Sequence, residues 1–83
     1  MEQAQKRGLT RLLLRWPERR AELRKKFARD PGFAELCEAY EVACEAEAYW
    51  TKSTLPVGPA RAREYDALVS ATEQDILIRL SLS

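Results

Sequence analysis

The stretch "DPGFAELCEAYEVACEAEAYWTK", residues 30–52, decides the fold. Asp30 is a good N-cap, and Pro31 suits the first helical position after it. Phe33, Leu36, Cys37, Tyr40, Ala43, Cys44, Glu47 and Trp50 then recur at the i, i+3, i+4 spacing of one helix face. The spacing predicts a helix over 31–52. The only loop-like stretch in the second half is "STLPVGP", residues 53–59. A second helix is expected over 60–80, with Tyr65, Leu68, Val69, Thr72, Ile76 and Leu80 as its stripe. Two helices of this length joined by a short loop fold back as an antiparallel hairpin. With the turn near Pro56, Trp50 should face Ala62 and Tyr65, Cys44 should face Leu68, and Tyr40 should face Thr72. Strand signals are absent, so the fold class is all-α.

Upstream of Asp30 the pattern is weaker. "PERRAELRKKFA", residues 17–28, reads as a short basic helix with Leu23 and Phe27 on one side. "GLTRLLLRW", residues 8–16, places Leu9, Leu12, Leu13 and Trp16 at helical spacing, with a break at Trp16–Pro17. Eighty-three residues form one domain, 1–83, with 1–16 as a candidate semi-independent N-terminal arm. So short a chain builds one thin core, and oligomerisation often supplies the remainder. A two-helix hairpin cannot shield both of its stripes, and Leu77, Ile78 and Leu82 lie partly off the main one. A homodimer completing a four-helix layer is therefore expected.

Charge is sorted into blocks. Residues 6–29 carry ten basic and two acidic side chains, whereas 33–50 carry five glutamates and no cation. Glu38, Glu41 and Glu45 form a ridge, and like charges at that spacing destabilise a lone helix. The simplest pairing sets Arg19, Arg20, Arg24, Lys25, Lys26 and Arg29 along that ridge, which Glu35 begins, in the same chain or in a partner copy. The alternative leaves both blocks as solvated faces.

Chemistry is sparse. The chain has no histidine, so it lacks the usual general base and the usual nitrogen ligand for metals. Gly8, Gly32 and Gly58 are scattered and form no phosphate-binding loop. No enzyme activity, metal or cofactor is expected. Glu47, the one charge on the apolar stripe, is expected to lean out to water or meet Arg61 or Tyr65 rather than act as a buried carboxylate. Cys37 and Cys44, seven positions apart on one helix, are about 10.5 Å apart along its axis and cannot bridge each other. They read as reduced thiols in the cytoplasm, with a cross-subunit disulfide as the alternative. No run reaches the ~18 apolar residues of a membrane span, and the start is not a secretory signal.

Two functional readings follow. The first is a non-enzymatic interaction module, a self-associating adaptor or regulator. The second is an electrostatic binder of nucleic acid or an anionic membrane through 6–29, with Leu9, Leu12, Leu13 and Trp16 facing the membrane. Asp30, Pro31, Phe33, Leu36, Cys37, Tyr40, Trp50, Glu64, Tyr65 and Leu68 together form a pattern that resembles small uncharacterised helical proteins of proteobacteria. The resemblance covers residues 27–80 and implies an all-α bacterial protein. It brings no active site or ligand.

Overall fold

The computed structural model describes residues 2–82; Met1 and Ser83 of the expected 1–83 domain lie outside the described residues. The chain is all-α. Helix α1 spans Glu2–Arg15, a single 3-10 turn spans Pro17–Arg19, α2 spans Arg20–Arg29, α3 spans Pro31–Lys52 and α4 spans Gly58–Ser81. Helix α3 has the bounds that its capping residues dictate. Helix α4 starts two residues before the expected Ala60, because Pro59 fits inside a first turn and lets Gly58 join. Helix α1 begins well before Gly8, and Trp16–Pro17 ends it as expected.

Helices α3 and α4 form the long hairpin. Its register is close to the expected one: the Tyr40 hydroxyl donates to Glu73 Oε2 at 2.6 Å, one position from Thr72. Ile76, Thr72 and Leu80 are buried, while Leu68, assigned to the stripe, is about half exposed. Leu77, expected off the stripe, packs against the core.

The core draws on all four helices. Leu12 and Leu13 of α1, Leu23 of α2, Phe33, Cys37 and Tyr40 of α3, and Ile76 and Leu80 of α4 form one buried cluster. Leu9, Trp16 and Phe27 pack against it. The apolar stripe of α1 is therefore spent inside the core and not on a separate arm. This also changes the argument for a dimer: α1, in the same chain, covers a second flank of α3 beside the one that α4 covers.

The approach of α1 to α3 depends on Gly8. It is buried, and a Cβ there would overlap the carbonyl oxygen of Cys37. No side chain other than hydrogen fits at that crossing.

Asp30 ties the two ends of the structure together. Its Oδ1 caps α3 by accepting from Gly32 N at 2.9 Å and Phe33 N at 3.2 Å. From α4, Arg79 Nε and Nη2 donate to Oδ2 and Oδ1, both at 2.9 Å. Lys26 of α2 lies 3.4 Å from Oδ2 and donates to the Leu82 carbonyl at 2.8 Å. The Arg79 fork, helped by the Phe33 amide and Lys26, holds the Asp30 carboxyl far below the usual range. Such a depressed group contributes stability that is complete above its unfolded value, about 3.9, and is lost as pH falls further. Asp30→Asn is thus expected to lower Tm by roughly 5 °C at pH 7, with the gap to wild type closing on acidification below about pH 4. Thermal melts from pH 7 to pH 2 check this; a pH-independent gap would exclude the charged clamp.

Candidate functional site

Glu41 is almost fully buried at the α1–α3 crossing, although it belongs to the acidic ridge. Arg11 Nε donates to its Oε1, and Arg7 Nε donates to its Oε2 at 3.3 Å. Both arginines sit one helical turn apart on α1, so their guanidinium groups reach the same carboxylate. Arg15, a turn further on, lies 3.3 Å from Glu73 on α4, which also accepts from Tyr40. Cations at 7, 11 and 15 thus form a ridge facing inward. Burial, then the Glu73 carboxylate, raises the Tyr40 hydroxyl.

The expected pairing of the ridge with Arg19, Arg20, Arg24 and Lys25 does not form within this chain. Arg19, at the end of the 3-10 turn, pairs with Glu22 of α2 at 3.1 Å. Arg20, Arg24 and Lys25 are exposed. Glu38 accepts from Gln5 of α1 at 3.5 Å, and Glu45 is exposed. The cause is length: α2 has ten residues and lies beside the C-terminal turn of α4, whereas α1 lies across α3. Leu9, Leu12, Leu13 and Trp16 also serve the core rather than a membrane or partner. Arg7, Arg11 and Gly8 are the structural determinants that periodicity missed; their signal was a row of cations at i+4 spacing with a glycine beside it inside a helix.

Glu47 does not pair with Arg61. It is half-buried and faces Asp66 of α4, while Arg61 pairs with Glu64 at 3.1 Å. Burial first, and the Asp66 carboxyl second, raise the Glu47 carboxyl. A raised group favours the folded state fully below its unfolded value, about 4.3, and loses that contribution as pH rises. Glu47→Gln is therefore expected to raise Tm by a few degrees at pH 7 and to make no difference near pH 4. Unfolding melts at the two pH values test it, and an equal effect at both would exclude the carboxyl pair.

Cys37 is buried and its thiol is pushed up to about 12 by desolvation; Cys44 is raised in the same direction, chiefly by burial. Both are free thiols. Among the described residues no group of three or more His, Cys, Asp and Glu side chains could hold a metal ion. No helix among them is long and apolar enough to cross a membrane.

Exposed apolar groups lie on several outer faces, two of which also carry charge. On α2, Lys25 and Arg29 stand beside a groove of about 300 Å³ that also includes Ala21, Leu80 and Leu82. On α3, Val42 and Tyr49 are 57% and 63% exposed, with exposed Glu35 and Glu45 nearby on the same side of the helix. Tyr49 stacks edge-on against Trp50, with ring centroids 5.0 Å apart. Comparison with protein-family models, with curated proteins and with solved structures finds no match for this chain.

Proposed function

We propose that this chain is a non-enzymatic helical interaction module, a self-associating adaptor or regulator that works in the bacterial cytoplasm. One observation carries the reading. After four helices have closed a core, large apolar side chains stay half or more exposed on the outer faces, among them Leu14, Val42, Tyr49, Ile78 and Leu82. Where such side chains share one face, as Val42 and Tyr49 do on α3, the grouping supports a contact surface. The cytoplasmic assignment rests on the two unpaired thiols, and the bacterial one on the likeness to proteobacterial helical proteins. Sedimentation across 5–100 µM tests the reading. The expected result is a weight-average mass rising from 9.5 kDa toward twice that value; a monomer throughout overturns self-association.

A second reading, electrostatic binding of nucleic acid or an anionic membrane, is favoured by the outer cations of α2. Five of the ten cations in 6–29 are engaged by carboxylates of this chain, namely Arg7, Arg11, Arg15, Arg19 and Lys26. The others, including Arg20, Arg24, Lys25 and Arg29, form no ion pair among the described residues. Binding of this kind falls steeply between about 50 and 200 mM salt, whereas apolar self-association does not.

A further inference from the structure

From the groove between α2 and the last turn of α4, we infer that it is the docking site for the acidic outer face of α3 in a second copy of this chain. This rests on the self-association reading above and names the two surfaces that carry it. Leu80 floors the groove, and Leu82, 58% exposed, walls it. Lys25 and Arg29, one turn apart on α2, stand at its edge and form no ion pair among the described residues. The other charged groups there are already engaged: Glu22 pairs with Arg19, and Lys26 is held by Asp30 and the Leu82 carbonyl. The groove therefore offers an apolar floor and two uncompensated positive charges. A helix that fits it needs apolar anchors on one face with carboxylates beside them.

The outer face of α3 has that composition. Val42 and Tyr49 are seven residues, about 10.5 Å, apart on one side of the helix. Glu45 lies between them in sequence and Glu35 precedes them, and both are exposed. This surface combines large exposed apolar groups with acidic neighbours, and the groove combines apolar walls with cations. Two copies related by a two-fold axis make the contact twice, which closes the assembly as a dimer.

Charge reversal on exposed side chains tests the inference without touching the core. Lys25→Glu/Arg29→Glu and Glu35→Lys/Glu45→Lys should each weaken self-association at least tenfold by sedimentation, while circular dichroism keeps the wild-type helix content. An equimolar mixture of the two variants should regain the wild-type dimer, because both contacts then bring opposite charges together. Tyr49→Ser should weaken association even at 500 mM salt, where charge is screened. If both reversed variants dimerise like wild type, the groove is not the contact, yet self-association itself stands. If each is weakened but the mixture stays monomeric, these two faces do not meet and the inference fails. If wild type is monomeric, both readings fail. If it then binds a 20-nucleotide single strand or phosphatidylserine vesicles, and Lys25→Glu/Arg29→Glu abolishes that binding, the occupant is an anionic surface and not a second copy.

Discussion

Replacing Gly8 by alanine is expected to destabilise the fold by about 2–3 kcal/mol, lowering Tm by roughly 10–20 °C. By helix propensity alone the sign would be opposite. Gly8 lies inside α1, where alanine is better than glycine by about 1 kcal/mol. The reversal comes from packing: the added Cβ meets the Cys37 carbonyl oxygen, which belongs to a helix and cannot swing away as a side chain could. Helix α1 must lift off α3, which loosens Leu12 and Leu13 in the core and lengthens the bonds from Arg7 and Arg11 to Glu41. Thr10→Ala, at an exposed position of the same helix, is the control and should leave Tm unchanged or slightly raised. Thermal melts of the two variants decide it. A Tm for Gly8→Ala at or above wild type would show that α1 does not approach α3 this closely.

The hairpin was legible because its information is local. Asp30–Pro31 states where α3 starts, the spacing from Phe33 to Trp50 states which face is apolar, and the prolines around Gly58 state where the chain turns back. Register follows from loop position alone, so Tyr40 was placed within one residue of its partner Glu73. The location of α1 was not legible in this way. An apolar stripe at Leu9, Leu12, Leu13 and Trp16 reads first as a helix docked on the hairpin or on a second copy, with a membrane or another protein as alternatives, and only tertiary contact selects the core of the same chain. Charge blocks misled for a related reason. Proximity in sequence pointed the ridge at Arg19, Arg20, Arg24 and Lys25. A helix as short as α2, turning directly into α3 at Asp30, lies near the start of α3 rather than along Glu41 and Glu45. The earlier helix could cross the middle of α3, and its Gly8 made that crossing close enough for arginines to reach inward.

Removing both cations at that crossing has the second large effect. In Arg7→Met/Arg11→Met the aliphatic stems remain, so packing is nearly kept, but the Glu41 carboxylate is left buried without a donor among its present partners. Stranding one member of a buried ion pair costs about 3 kcal/mol or more, so urea unfolding at pH 7 should show a loss of that order. The opposite deletion is not equivalent. Glu41 has a side chain only 3% exposed, whereas those of Arg7 and Arg11 are 58% and 42% exposed, so water can solvate the arginines once the acid is gone. Glu41→Met alone is therefore expected to stay within about 1 kcal/mol of wild type, since replacing a buried carboxylate by an apolar group of similar length removes its desolvation cost. The triple variant Arg7→Met/Arg11→Met/Glu41→Met should recover most of what the double variant loses, because no unpaired charge then remains inside. This ordering, with the double variant lowest and the triple variant restored, separates a charge stranded in the interior from simple loss of two surface contacts. If the triple variant were instead the least stable of the set, each contact would be contributing independently, and Glu41 would lie in a wetter environment than its burial implies.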